Sequence, residues 1–406
     1  MVIELPDDRI RPSVDQRSSD TVPDLLQGGR EFFPALIGAI AQARTEVLLE
    51  TYIFSQDATG DRVAEALAQA ARRGVRVRVL IDGFGTRPVP GSYAVLWAGA
   101  GVQMRVFSPV PVLLTLDRER LRRLHRKLAC IDGTVGFVGG INVLDDLWDP
   151  NHGALEHPRL DYAVRVQGRL ALAVQETMTR LWEQVCAPGA LERNLGLQGI
   201  RSAQQKRTGP GHAPLMSARL VLRDSLAQRR AIERAYLRAI GRAKHDVLIA
   251  TAYFFPGRRF RRALREAAGR GVKVRLLLQG RIEYLLPHHA AQSMYDSLLS
   301  RGIEIHEYTR SFLHAKVAVI DDWATVGSSN IDPFSLLLSR EANVVVQDRG
   351  FAQTLRACIE ENIREGAHQI LMDQVRRRPW WQRVSGWLAY GLLRLGVRVS
   401  GERLDQ

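Results

Sequence analysis

Two nine-residue stretches hold the side chains most able to do chemistry. Leu124 to Asp132 reads LHRKLACID, and Leu313 to Asp321 reads LHAKVAVID. Each has His-x-Lys followed, after four residues, by Asp: His125, Lys127, Asp132 and His314, Lys316, Asp321. On a strand, residues two apart project from one face. A nucleophilic imidazole is thereby set beside a compact cation that can hold a phosphate oxygen. With 10 His and 5 Lys in 406 residues, chance predicts about 0.1 His-x-Lys pair. Two occur, in a chain that otherwise uses Arg for positive charge, and an ammonium is not interchangeable with a planar guanidinium.

Each stretch is followed by a turn of small residues with an amide: Gly139, Gly140 and Asn142, then Gly327, Ser328 and Asn330. Glycine lets backbone approach an anion, and Asn142, Ser328 and Asn330 are candidate phosphate-binding donors. A carboxylate comes later in each copy, Asp161 or Glu341. On the second imidazole nitrogen it would hold the tautomer and raise basicity. Asp132 and Asp321 stand with the catalytic candidates, although each ends a strand before a turn, where a structural role is an equal reading.

The elements that must position these residues also occur twice. Ile40 to Phe54, IAQARTEVLLETYIF, matches Ile240 to Phe254, IGRAKHDVLIATAYF. Ala66 to Leu80 matches Ala263 to Leu277, Ala100 to Phe107 matches Arg301 to Tyr308, and Asp161 to Gln167 matches Glu341 to Gln347. A period this long means a duplicated domain rather than a solenoid. In the first copy Phe33 to Ala43 and Asp61 to Arg73 read as helices, and Val47 to Phe54 and Val75 to Ile81 as strands. That order predicts an α/β fold, a mixed and largely parallel sheet flanked by helices. The expected division is a polar extension over 1–24, a first domain over 25–186, a Pro/Gly/Gln-rich linker over 187–215, a second domain over 216–374, and a tail over 375–406.

Net charge is +14, with a pI near 10.3, which favours polyanions: nucleic acid or an anionic membrane face. Three scattered cysteines argue against a disulfide framework or a zinc site. No metal and no other cofactor is expected. The first twenty residues lack a signal-peptide core, and no stretch is apolar enough to span a bilayer, so membrane contact is expected to be peripheral.

The duplicated His-x-Lys-x4-Asp with its Gly-x-Asn sequel resembles the phospholipase D superfamily. LLETYIF, TAYFFPGRRFRRAL, VRLLLQGR and LHAKVAVIDDWATVGSSNIDPFSLLLSREANVVV are most similar to bacterial cardiolipin synthases of the short type, without N-terminal membrane helices. The likeness spans about residues 25 to 370. It implies two tandem domains about a pseudo-twofold, with both His-x-Lys pairs in one cleft. His125 would attack the phosphorus of a phosphatidyl group, and His314 would protonate the leaving alcohol and deprotonate the incoming one. Lys127, Lys316, Asn142 and Asn330 would stabilise the equatorial oxygens. Glu341 would pair with His125 and Asp161 with His314. Phosphatidylglycerol would be both donor and acceptor, with glycerol released. Leu124 and Arg281-Ile282-Glu283 depart from the family pattern, and Ser108 to Arg123 is an insert in the first copy, either a lipid entrance or a surface loop.

Arg376 to Ser400 reads as an amphipathic helix, with Arg376, Arg377, Arg378 and Trp380, Trp381, Trp387 as membrane-binding candidates on the cytoplasmic face of the inner membrane. The alternative is a helix docked on its own protein. Arg258, Arg259, Arg261, Arg262 and Arg265 form a second basic cluster, either functional or a solvated face. Competing activities are transfer to water or another alcohol, and a phosphodiesterase acting on nucleic acid. Against the latter, aromatic residues gather in the tail and do not interleave with basic strands, so no nucleic acid partner is expected. Oligomeric state is not legible.

Overall fold

The computed structural model describes residues 22–86, 89–108, 123–149, 152–187, 217–224, 228–283, 285–332, 339–377 and 391. The first half contains β1 (Asp24–Gln27), β2 (Glu46–Thr51), β3 (Arg76–Asp82), β4 (Gln103–Phe107), β5 (Arg123–Leu124), β6 (Lys127–Ile131), β7 (Val135–Gly139), β8 (Trp148–Asp149), β9 (Gly153–Ala154) and β10 (Tyr162–Gln167). Its helices are α1 (Gly28–Ala41), α2 (Ala58–Arg72), α3 (Gly91–Ala100) and α4 (Gly168–Cys186). The second half contains β11 (Ser217–Arg223), β12 (Asp246–Thr251), β13 (Lys273–Gln279), β14 (Glu304–Tyr308), β15 (Lys316–Ile320), β16 (Trp323–Gly327), β17 (Ser339–Gln347) and β18 (Ala367–Ile370). Its helices are α5 (Ala231–Arg242), α6 (Arg258–Gly269), α7 (Leu285–Gln292), α8 (Tyr295–Leu299), α9 (Arg349–Gly366) and α10 (Met372–Arg376).

The sheet orders repeat. The first is β1-β10-β7-β6-β2-β3-β4 and the second is β11-β17-β16-β15-β12-β13-β14-β18. Both are mixed α/β sheets, but the parallel part is smaller than the sequence reading expected. Among the described strands β2-β3-β4 and β12-β13-β14 run parallel, as does the short β5 of the first half where it joins β17 of the second, while β6 and β15, which carry the lysines, pair antiparallel with their neighbours. The reason is local: Asp132 and Asp321 start tight turns, and a tight turn can join only antiparallel strands.

Among the described residues strand alternation builds three large cores, beside a small cluster of Leu80, Phe107, Leu124, Leu181 and Trp182. Val47, Leu49, Ala129 and Ile131 face α1 and α2 in one, and Val247, Ile249, Ala318 and Ile320 face α5 and α6 in its counterpart. The alternate residues, Leu48, Leu128 and Cys130 with Leu248, Val317 and Val319, meet in a single core between the sheets, completed by Val174 of α4 and Leu355 of α9. Each fully buried Leu or Val there contributes roughly 1.5–3 kcal/mol. The halves are therefore welded along an apolar interface, and groups from the two halves hold fixed distances.

At the C-terminal end, Val375 packs into the second core. The expected tail boundary after 374 thus falls inside α10. Arg376 and Arg377 lie at the exposed end of that helix, while Arg378, Trp380, Trp381 and Trp387 lie outside the described residues. So do most of the insert between Phe107 and His125 and most of the expected linker. Among the described residues no helix is long and apolar enough to cross a membrane.

Candidate active site

The two His-x-Lys segments are tied down by each other's half. His125 N donates to Arg340 O at 3.1 Å, and His314 N donates to Leu160 O at 2.8 Å. The next residue in each case is the carboxylate. Glu341 Oε1 lies 2.9 Å from His125 Nδ1, and Asp161 Oδ2 lies 2.6 Å from His314 Nδ1. The exchange is reciprocal, as a pseudo-twofold requires. With Nδ1–H donated to a carboxylate, Nε2 of each ring is left as the basic nitrogen. Both side chains keep a little exposure, 16% for His125 and 19% for His314, whereas Glu341 and Asp161 are buried.

The histidines do not sit on the strands, as the sequence reading expected; only the lysines do. Each His occupies a short break where the chain crosses from contact with the other half into β6 or β15. Lys127 Nζ donates to His125 O at 2.6 Å, and Lys316 Nζ donates to His314 O. The ammonium therefore clamps the break open beside the imidazole. Lys127 also lies over the Tyr52 ring at 5.2 Å, and that ring meets His125 edge-on.

The two pairs differ electrostatically. Burial lowers the His125 pKa, and the Glu341 carboxylate opposes the shift. Burial also opposes ionisation of Glu341, but His125, Arg223 and Lys127 outweigh it and hold that carboxyl below its usual range. Ser328 Oγ donates to its other oxygen at 2.5 Å. Asp161 is the reverse case, pushed up to about 6 by burial against the pull of Lys316. His314 is held well below its ordinary value by burial and then by Lys316 and Lys127. Lys127 itself is lowered to about 7, by burial and then by Lys316.

Small residues make room for these carboxylates. A Cβ on Gly140 would stand 2.3 Å from Asp161 Oδ1. At the matching position the second half has Ser328, whose hydroxyl bonds Glu341. Asn142 and Asn330 are buried close by. Asn142 Oδ1 accepts from Ile53 N at 3.2 Å, and Asn330 Oδ1 is buried with no hydrogen-bond partner among the described residues.

Asp132 and Asp321 stand apart from the histidines, where the structural one of their two readings applies. Both lie at the far ends of β6 and β15 from the histidines, with φ of 52° and 49°. Asp132 accepts from the amides of Arg44, Thr45 and Glu46 and from the Thr45 hydroxyl; Asp321 accepts from the amides of Lys244, His245 and Asp246. They bind the turn before β2 or β12 to the turn after the His-x-Lys strand, and among the described residues neither hydrogen-bonds to a histidine or lysine of the two pairs. Partial burial opposes their charge, but those amides outweigh it and hold both carboxyls below the ordinary value. Asp321→Ala should therefore lower stability by about 1 kcal/mol, since solvent screens these hydrogen bonds and can replace them, while turnover per folded molecule stays unchanged. The contribution is present above an unfolded pKa of about 3.9 and is lost as pH falls through the lower folded value. Denaturation midpoints beside kcat check this; a collapse of kcat with an unchanged midpoint would restore the catalytic reading.

Several residues went unread in the sequence. Arg126, between His125 and Lys127, is fully buried and bonds Glu50 and Asp224. Asp82 Oδ2 accepts from Leu124 N at 2.7 Å, and its counterpart Gln279 Oε1 accepts from Leu313 N at 3.0 Å, so both steady the residue before the histidine. Aligning VRVLIDG with VRLLLQG pairs these two. Leu124, a departure from the family pattern, is simply buried. In the basic cluster, Arg258, Arg259, Arg262 and Arg265 are exposed along α6, and Arg262 pairs with Glu266 at 2.7 Å, as on a solvated helix face. Among the described residues no group of three or more His, Cys, Asp or Glu could hold a metal ion.

Comparison with known proteins adds to this geometry. The family described as "Cardiolipin synthase, PLD-like domain" matches twice, over residues 36–156 and 236–363. Cardiolipin synthase B of Salmonella typhi is 39% identical over 373 residues, covering 91% of this chain and 87% of that protein. Cardiolipin synthase B of Escherichia coli K12 is 38% identical over the same shares. Among solved structures, phosphatidylserine synthase of Haemophilus influenzae superposes with a TM-score of 0.67 at 12% identity, covering 92% of this chain and 95% of that one. Polyphosphate kinase of Porphyromonas gingivalis superposes with a TM-score of 0.58 at 14% identity, covering 93% of this chain and 53% of that one. The last two show the fold alone.

Proposed function

Since the chain belongs to the cardiolipin synthase family of phospholipase-D-like enzymes, we propose that it is a phosphatidyltransferase that joins two phosphatidylglycerol molecules into cardiolipin through a phosphohistidine. The observation that carries this reading is the reciprocal pairing of Glu341 with His125 and Asp161 with His314. His125 Nε2 attacks the donor phosphorus, a P–N bond forms, and the P–O bond to glycerol breaks. His314, protonated on Nε2 once the anionic phosphate is bound beside it, gives that oxygen this proton. The hydroxyl of a second phosphatidylglycerol then attacks; its proton returns to His314 and the P–N bond breaks.

The assignment of His125 as nucleophile rests on the difference between the carboxylates. The nitrogen that bonds phosphorus leaves its ring positively charged, and the firmly ionised, serine-bonded Glu341 suits that ring best. Lys127 and Lys316 stabilise charge on the equatorial oxygens without reorganising, with Asn142 and Asn330 as further donors. The departing Arg376, Arg377 and Arg378 and the following Trp380, Trp381 and Trp387 would hold the enzyme on the anionic cytoplasmic face of the membrane. Mass spectrometry of products from phosphatidylglycerol vesicles tests the reading. Cardiolipin with equimolar glycerol is expected; phosphatidate alone would make the enzyme a phospholipase. Salt-sensitive flotation with those vesicles, lost on truncation after Arg377, which spares α10 and the buried Val375, is expected of the tail; unaltered flotation would remove it as the anchor.

A further inference from the structure

The loop after β3 grips the first catalytic pair from two sides. Its Asp82 carboxylate accepts from Leu124 N at 2.7 Å, Phe84 N at 2.8 Å and Gly85 N at 3.0 Å. The first bond steadies the residue before His125. The other two fold the loop back, so that Gly85 lies against Tyr52. A Cβ on Gly85 would stand 2.8 Å from two carbons of the Tyr52 ring, so glycine leaves the room that this ring needs. Thr86 Oγ1 donates to Tyr52 O at 3.0 Å and fixes the backbone there. The half-buried ring then meets both members of the pair. Lys127 Nζ stands over its face, 5.2 Å from the centroid, and the His125 ring lies 5.0 Å away at 64°.

The second half is built differently at both touching positions. Ala252 stands where the first half has Tyr52, and Ile282 where it has Gly85. Neither the ring nor the space for it is repeated, although Lys316 donates to His314 O as Lys127 does to His125 O. The charged and titratable groups that act on Lys127 are Lys316, Glu341, Asp161, Asp82 and the His125 ring beside it. Burial first, and then Lys316, hold the Lys127 pKa down to about 7, against the three carboxylates. The face of an aromatic ring attracts a cation and so favours the ammonium form.

We propose that Tyr52 is a positioning residue of the first half: its ring face holds the Lys127 ammonium against the His125 carbonyl while its edge backs the His125 imidazole, so that nucleophile and cation are set as one unit. The inference rests on the phosphohistidine reading above. Glu341 fixes one nitrogen of the His125 ring, and a ring packed against the imidazole limits its rotation about that bond, which keeps Nε2 aimed at phosphorus. Tyr52 transfers no proton.

The test is the pH dependence of kcat/KM for a short-chain phosphatidyl ester of p-nitrophenol. Its release reports the step in which the P–N bond to His125 forms and the P–O bond to p-nitrophenolate breaks, whatever the acceptor. Tyr52→Phe keeps the ring, and mono-, di- and trifluorinated phenylalanines at position 52 keep its shape while draining charge from its face. Loss of the ring face favours neutral lysine, so the alkaline limb should move to lower pH. Tyr52→Phe should leave the limb where it is, each added fluorine should lower it, and Tyr52→Leu should lower it by about 0.5–1 pH unit. Below the limb, Tyr52→Leu should lose about 10-fold in kcat/KM through misplacement of the pair. The midpoint of a limb does not depend on how much protein is folded. A limb that stays in place across the fluorinated series and in Tyr52→Leu overturns the role of Tyr52 alone. An unaltered enzyme that releases p-nitrophenol without any alkaline limb overturns it too, because Lys127 is then not a working cation. No release by the unaltered enzyme overturns the phosphohistidine reading and this inference with it.

Discussion

Replacing His125 with alanine should lower turnover on the order of 10⁵-fold, as loss of a nucleophile does when oxyanion stabilisation and binding remain. The side chain is partly exposed and sits in a break rather than in a core, so the fold should survive. His314→Ala should be equally damaging with phosphatidylglycerol, whose alkoxide is a poor leaving group without a proton. The pH profile should follow the same logic. His125 attacks only when neutral, and burial keeps its pKa below 6.5, so kcat/KM should fall only as pH drops below that. Lys127, lowered to about 7, loses its charge above that pH in the free enzyme, so kcat/KM should also fall on the alkaline side. An anionic phosphate in the cleft raises that pKa again, so the alkaline limb of kcat should lie higher. A kcat/KM that keeps rising above pH 8 would mean that Lys127 does not act as a cation.

The second large effect is structural. Arg126→Ala should destabilise the protein by about 3–5 kcal/mol, the usual cost of removing one partner of a buried ion pair. Its guanidinium reaches Glu50 at 2.5 and 3.1 Å in its own half and Asp224 at 2.8 and 3.0 Å in the other, and bonds Thr177 O at 3.4 Å. Glu50 is fully buried, and burial already raises its pKa despite Arg126. Without the guanidinium it must either stay charged and unpaired or take up a proton. Because the network crosses between halves one residue from His125, loosening it should also open the cleft. The matching residue in the second copy is Ala315, so nothing compensates. Urea midpoints for the unaltered protein, Arg126→Ala and Arg126→Met with Glu50→Gln test this. The double variant should recover part of the loss. A single variant within about 1 kcal/mol of the unaltered protein, as an exposed pair would be, would contradict the account.

The sequence made some of this architecture legible because duplication repeats its signals. Two matching His-x-Lys segments, two Gly-x-Asn turns and two late carboxylates mark the site, and the period marks the two domains. The family likeness supplied the pairing across the halves, which spacing alone cannot, since Glu341 lies 216 residues from His125. What stayed hidden depends on distant or irregular contacts. Arg126 looks like any other arginine of a basic chain until Glu50 and Asp224 are brought to it from either side. Asp321 belongs to the motif by spacing, yet its partners are amides of a turn some 75 residues earlier, so spacing alone left its role open. The lysine clamp on the histidine carbonyl also escaped, because it needs a break in the strand that the apolar pattern does not announce.

The central claim is that His125 carries the phosphatidyl group, and it is tested most directly by trapping that group. In His314→Ala, a donor with a good leaving group, a phosphatidyl ester of p-nitrophenol, needs no proton from His314 to form the intermediate, whereas resolution still needs a base. The variant should therefore release about one equivalent of p-nitrophenol per site in a burst and then stall, the kinetic mark of a covalent intermediate. Quenching in base and peptide mapping should find the label on His125, stable to base and labile to acid. No burst, or label on a hydroxyl side chain or any other histidine, would contradict the account.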